Sequence, residues 1–224
     1  MLFADRVDAG QRLAMLLLPY RDESPIVLGL PRGGVPVAFE VARALKAPLD
    51  VLVVRKVGAP DQPELGLGAI AEGGALYLDH QLMRQVGASE TEVAEIAERK
   101  AAEVVERVRL FRGARPQPDV RGRTVILVDD GIATGGTVHA AVKALRALEP
   151  RRIVLAVPVS SSQALDALAG EVDECVCVET SDHLGAIGLF YEDFTQTTDQ
   201  EVVQLIERAR GWLGPRLEEQ PPAP

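Results

Sequence analysis

The chain has 224 residues, 47% of them hydrophobic and 25% charged, which is enough apolar side chain for a sizeable core in one domain. Its formal net charge of −9 disfavours sequence-independent binding to nucleic acid or an anionic membrane surface. No apolar run reaches the roughly 18 residues of a membrane span, the start shows no signal-peptide pattern, and there are only two cysteines. The expectation is a cytoplasmic protein without disulfides that acts on small molecules.

Residues 8–20 place Leu13, Leu16 and Leu17 on one helical face, 26–30 is an apolar strand, 35–46 is a helix with Val37, Val41 and Leu45 inward, and 51–54 is a second strand. The glycine-rich stretch from Gly58 to Gly74 has the composition of a mobile active-site lid. Its Glu64 and Glu72 are either ligands or solvated loop residues, with solvation favoured for Glu64. A long amphipathic helix runs from about Ser89 to Phe111 with Val93, Ala97, Ala101, Val104 and Val108 in register, and Ser89 with Glu92 forms a capping box at its start. Gly113 to Asp119, containing Pro116 and Pro118, leads back to a strand at 125–128. After it come a helix carrying Val138, Ala141, Val142, Leu145 and Leu148, a strand at 153–157, a helix at 161–169 and a strand at 175–178. Cys175 and Cys177 alternate on one face of that last strand, as small buried residues that cannot easily pair. The rhythm predicts an α/β fold, a parallel sheet of about five strands flanked by helices. A single domain is expected over 1–214, with an insertion at about 57–120 and a small carboxyl-terminal hood at about 179–200, before a flexible tail at 215–224.

Chemistry concentrates in Val125-Ile-Leu-Val-Asp129-Asp130-Gly-Ile-Ala133-Thr134-Gly135-Gly136-Thr137. Four apolar residues form a strand covered on both faces, and the small-residue loop beyond it feeds a helix N-terminus. The unpaired N–H groups of that first turn and the positive end of the helix dipole make an anion site, which the Thr134 and Thr137 hydroxyls extend. Asp129 and Asp130 would repel a phosphate, so their partners are hydroxyls of an attached sugar or a hydrated Mg2+ ion. A Walker A loop would need Gly-Lys-Ser/Thr, and a dinucleotide fingerprint Gly-x-Gly-x-x-Gly; the stretch contains neither. Leu28-Gly-Leu-Pro31-Arg32-Gly33-Gly34-Val35 repeats the logic, a strand followed by small residues and a helix, with Arg32 in place of the acids. Lys56, at the end of an apolar strand, belongs to a chain whose 24 basic residues include only Lys46, Lys56, Lys100 and Lys143 as lysines. It is either a specific ligand for an anion or nucleophile or a solvated strand-exit residue.

The stretch from 125 to 137 resembles the 5-phosphoribosyl-1-pyrophosphate (PRPP) motif of type I phosphoribosyltransferases, and Arg32-Gly33-Gly34 is similar to the pyrophosphate loop of their xanthine and related purine-salvage members. The resemblance implies a type I phosphoribosyltransferase-like fold and an Mg2+-dependent pentosyl transfer from PRPP to a nitrogen nucleophile, a nucleobase foremost, with release of pyrophosphate. It implies that Ala133, Thr134, Gly135, Gly136 and Thr137 hold the 5′-phosphate. Pro31, Arg32, Gly33 and Gly34 would hold the pyrophosphate. Asp129 and Asp130 would bind the ribose hydroxyls, and Mg2+ through water, as catalytic groups with Arg32 and Lys56. The hood holds Phe190, Tyr191 and Phe194 in a chain only 4% aromatic, so Phe190 and Tyr191 are candidates for stacking on the acceptor, or else anchors of a loose segment. His80, His139 and His183 lack ligand spacing, so no zinc site is expected. A homodimer is expected. Two alternatives stay open on the same residues: a PRPP- or nucleotide-sensing regulator, and a hydrolase of a phosphosugar or nucleotide.

Overall fold

The computed structural model describes residues 2–63, 65–182 and 184–212. Glu64, His183 and the 215–224 tail lie outside the described residues. In chain order the elements are α1 (Arg6–Leu17), β1 (Ile26–Gly29), α2 (Gly34–Leu45), β2 (Leu49–Val51), β3 (Val54–Gly58), β4 (Gly66–Ala71), β5 (Leu76–Leu78), α3 (His80–Val86), α4 (Glu90–Arg112), β6 (Thr124–Val128), α5 (Gly136–Arg146), β7 (Arg152–Ser161), α6 (Ser162–Leu168), β8 (Glu174–Ser181) and α7 (Asp199–Gly211). Five strands form an all-parallel sheet in the order β2-β1-β6-β7-β8. Its apolar strands are buried on both sides by alternation. Leu28, Val125, Leu127, Ile153 and Leu155 pack with α5 and α6, whereas Val27, Ile126, Val128, Val154 and Ala156 pack with α1 and α2. Cys175 packs on the first face and Val176 on the second, the alternation expected of that strand.

The predicted strand at 51–54 divides. Val51 ends β2 in the parallel sheet and Val54 begins β3 in a separate antiparallel sheet, β3-β4-β5. Because Val51, Leu52, Val53 and Val54 are all buried, no polar residue marks the crossing. The stretch from Gly58 to Gly74, expected as a mobile active-site lid, contains β4, the middle strand of this second sheet. Its glycines admit close neighbours: a Cβ on Gly68 would stand 2.2 Å from the Tyr77 carbonyl oxygen of β5.

Helix α4 begins at the expected capping box, with the Glu92 amide donating to Ser89 Oγ and the Ser89 amide to Glu92 Oε2. At its far end Arg112 is fully buried and donates from Nε to both Asp50 oxygens at 3.0 Å, from Nη2 to the Val51 carbonyl at 2.9 Å, and from Nη1 to Glu72. Glu72 is therefore buried, not solvated, and forms one arm of an ionic clamp between the two sheets. Among the described residues, no helix is long and apolar enough to cross a membrane.

Candidate functional site

In the parallel sheet the chain steps from β1 to β2 in one direction and from β6 to β7 in the other, so β1 and β6 flank the switch point where open α/β sheets bind ligands. The loops leaving these two strands are 30–33 and 129–135, the two motifs read from the sequence. They touch. Leu30 N donates to the Val128 carbonyl at 2.8 Å, and Gly34 N to the Leu30 carbonyl at 3.0 Å. A Cβ on Gly33 would lie 2.0 Å from Asp130 Oδ2, and one on Gly34 2.7 Å from the Val128 carbonyl oxygen. At Gly34 the obstacle is backbone, so the close approach of the two loops requires glycine there, while at Gly33 a side chain would displace the Asp130 carboxylate.

The 131–135 loop is anchored from behind and open in front. Ile132 is buried and pairs with β7 through Ile132 N to Val159 O (2.9 Å) and Ser161 N to Ile132 O (3.0 Å), and Ser161 Oγ donates to the Ala133 carbonyl at 2.9 Å. Ala133, Thr134, Gly136 and Thr137 are exposed, and Gly135 takes the left-handed conformation (φ +78°) that turns the chain into α5. Intrahelical bonding begins with His139 N donating to Gly135 O, so the preceding amides of the first turn have no acceptor within the helix. Residues 129–138 and Ile187 line a concavity of about 220 Å³.

The two acids differ. Asp130 Oδ2 accepts from Arg6 Nε and lies 2.8 Å from Arg6 Nη2 as well, while Arg6 Nη1 donates to the Thr195 carbonyl and the guanidinium stacks 3.9 Å from the Phe194 ring centroid. Asp129 is held differently. Its Oδ1 accepts from the Asp130 amide, and burial, then the adjacent Asp130 carboxylate, push it well above the ordinary value of 3.8. A cation beside Asp129 would relieve that penalty, and two carboxylates at a strand end suit an ion that keeps most of its water. Among the described residues no cluster of three or more His, Cys, Asp or Glu forms a metal cage.

Tyr191 is the clearest correction in the hood. It is buried between Phe3 and Phe194, and its hydroxyl donates to the Asp130 carbonyl at 2.6 Å, so it braces the motif from beneath and offers no ring face to an acceptor. Burial pushes its phenol far up. Phe190 is only half-buried against the same cluster. Lys56 does not join Arg32: on β3, Arg55 and Lys56 point to opposite faces. Arg55 shares a cavity with Arg32 and Arg107, and Lys56 shares another of about 320 Å³ with Thr134, Gly135, Gly136, Tyr77 and His139. Arg6, Arg55 and Arg107 escape sequence reasoning; only the alternation along β3 signals that Arg55 should face away from Lys56.

Paired acids and two amide-rich turns thus meet at the switch point of an open parallel α/β sheet. A family model described as phosphoribosyl transferase domain matches residues 8–194. A curated Mycobacterium tuberculosis protein, known from strains H37Rv and CDC 1551 and provisionally named a phosphoribosyl transferase, is 46% identical over 208 residues, covering 93% of this chain and 47% of its own length. The chain thus spans about half the length of the curated relatives it matches. The solved structure of TT1426 from Thermus thermophilus superposes with a TM-score of 0.86 at 43% identity, over 96% of this chain and all of that one. The chain belongs to the phosphoribosyl transferase family, and its sheet is that of the type I fold, as the motif resemblance implied.

Proposed function

We propose that the protein transfers the 5-phosphoribosyl group of PRPP to a nitrogen nucleophile, a nucleobase foremost, and releases pyrophosphate in a Mg2+-dependent reaction. The observation that carries this reading is the direct contact of the two loops at the switch point. One ligand that spans both must carry an anion at each end and a polyhydroxyl body between, as PRPP does. The backbone amides of Ala133, Thr134, Gly135, Gly136 and Thr137, with the Thr134 and Thr137 hydroxyls, hold the 5′-phosphate. Asp129 and Asp130 accept from the ribose hydroxyls, and their negative charge favours the oxocarbenium-like centre that forms as the bond to pyrophosphate breaks. Arg32, presented by Pro31 and by the closeness that Gly33 and Gly34 allow, takes the charge that develops on the departing pyrophosphate. Mg2+ held by Asp129 and Asp130 through water would add neutralising charge on the leaving group. Lys56 contributes from the outer side of the 134–136 turn, and Phe190 is the aromatic that remains available to an acceptor.

Pyrophosphate release from PRPP and Mg2+, measured with and without a panel of purine and pyrimidine bases, tests the proposal. Release that requires one base supports transfer. Release without any base would make the protein a hydrolase, and saturable PRPP binding with no release would make it a sensor; either result overturns the proposal.

A further inference from the structure

Arg6 is a cation at a place where the helix that carries it gains nothing from one. It is the first residue of α1, at the positive end of the helix dipole, where acids are favoured and bases are not. Its side chain leans back out of the helix and crosses to the loop after β6, 124 positions along the chain. There its polar edge and its flat face are both engaged. Nε donates to Asp130 Oδ2 at 2.8 Å and Nη2 lies 2.8 Å from the same oxygen, Nη1 donates to the Thr195 carbonyl at 2.8 Å, and the Phe194 ring centroid lies 3.9 Å from the guanidinium carbon. The Arg6 and Asp130 side chains are only 11% and 13% exposed, so water and salt screen their attraction little. The segment that carries Arg6 is itself fastened to the hood. Phe3 is fully buried, its amide donates to the Phe190 carbonyl at 2.8 Å, and its carbonyl accepts from the Glu192 amide at 2.8 Å. The amino-terminal segment, the hood and the acid loop therefore meet at one guanidinium.

This contact sorts the carboxylate oxygens of the acid pair. Asp129 Oδ1 accepts from the Asp130 amide at 2.9 Å, and Asp130 Oδ2 is taken by Arg6. Asp129 Oδ2 and Asp130 Oδ1 accept no hydrogen bond from any described residue. Adjacent hydroxyls of a ribose ring need one acceptor each, and one oxygen on each acid supplies them. Charge points the same way. Two ionised carboxylates side by side repel a ligand with anionic groups at both ends, and a resident guanidinium cancels one of the two charges. We infer that Arg6 is a positioning residue for ribose binding: it occupies Asp130 Oδ2, ties that carboxylate to the hood, and leaves the acid pair one ligand-facing oxygen on each member and one net negative charge. The inference rests on the proposed contact of Asp129 and Asp130 with the ribose hydroxyls. The Arg32 turn leaves room for the same oxygen from the other side, since a Cβ on Gly33 would stand 2.0 Å from Asp130 Oδ2. Lysine could not replace Arg6, because a point-like ammonium cannot meet Asp130 and the Thr195 carbonyl in one plane while lying flat on Phe194. The hood thus acts on the site through this guanidinium and not only through the Tyr191 brace.

The test is calorimetric titration of the whole chain with ribose 5-phosphate and, separately, with inorganic phosphate, which shares the phosphate turn but brings no ribose hydroxyls to the acids. Wild type is expected to bind ribose 5-phosphate about tenfold or more tightly than phosphate, the gain from hydroxyls on charged acceptors. Arg6→Gln is expected to weaken ribose 5-phosphate about tenfold and to leave phosphate within about twofold. Arg6→Lys, which keeps the charge without the fork, should fall between, and it carries the same comparison if Arg6→Gln does not melt cooperatively. Arg6→Gln combined with Asp130→Asn should bind ribose 5-phosphate no more weakly than Asp130→Asn alone, because Arg6 acts through that carboxylate. Unchanged ribose 5-phosphate affinity in the Arg6 variants, equal weakening of both probes, or additive losses in the double variant would overturn the inference and leave the functional reading standing. A wild type that binds ribose 5-phosphate no better than phosphate would overturn the contact between acids and ribose, and with it both.

Discussion

Gly136 separates a ligand's demand for glycine from the fold's. In the protein alone, a Cβ at this first residue of α5 meets nothing within 4 Å, and the residue's φ is not left-handed, so Gly136→Ala has room. Replacing glycine by alanine at a compatible helical position stabilises by about 0.4–1 kcal/mol, chiefly through the unfolded chain, which for a domain of this size is roughly 1–4 °C in Tm. The ligand reverses the sign. If the 5′-phosphate rests on the amides of this turn, the new methyl group intrudes where the phosphate approaches the backbone, and at least one charge-assisted hydrogen bond is lost, about 1.5–3 kcal/mol. That corresponds to a ribose 5-phosphate affinity roughly 10- to 150-fold lower. Gly135→Ala is the contrasting variant: at φ +78° a side chain is strained, and the fold itself loses about 1–2 kcal/mol. Thermal melting and calorimetric titration of both variants read the two effects separately. A Gly136→Ala protein that melts normally and binds ribose 5-phosphate as wild type does would refute the placement of the phosphate.

Asp129→Asn combined with Asp130→Asn is expected to lower pyrophosphate release from PRPP by about 10³-fold or more; a loss below tenfold in a steady-state assay would contradict the role given to the pair. Arg112→Met leaves Asp50 and Glu72 buried without their cation and should cost about 3–5 kcal/mol in urea unfolding, whereas a cost under about 1 kcal/mol would show that the clamp is solvated. Burial pushes the Cys177 thiol from 9.0 to about 11. At pH 8 its thiolate fraction, and so its rate with a disulfide reagent, should be about a hundredfold below that of an ordinary thiol, as peptide mapping by mass spectrometry would read. The sign for stability follows: this thiol's contribution is complete below pH 9.0 and is lost as the pH rises through about 11.

The parallel sheet was legible because its strands are short apolar runs bounded by turns, and the 129–137 loop because its residue types fit few roles other than an anion site. What stayed hidden depends on contacts between distant parts of the chain. The apolar run through Leu52 and Val53 carries no mark of the passage from one sheet to the other, since burial continues unbroken. Gly68 serves close strand packing that the sequence does not show, because sequence registers a missing side chain and not the neighbour that requires it to be missing. Glu72 reads as a loop residue until Arg112, 40 positions away, is brought onto it. Tyr191 reads as a stacking surface because its ring is visible in sequence and the Asp130 carbonyl above its hydroxyl is not. Arg6 opens the first helix with no motif around it, yet it is the cation that holds half of the acid pair.

If the proposed function holds, the turns after β1 and β6 form one site for one ligand. Calorimetric titration of PRPP with Mg2+, set against ribose 5-phosphate and pyrophosphate titrated singly, measures it most directly. A single site is predicted to bind PRPP far more tightly than either fragment, because the second anion is tethered beside its loop once the first has bound. PRPP binding no tighter than the better of the two fragments would contradict the account.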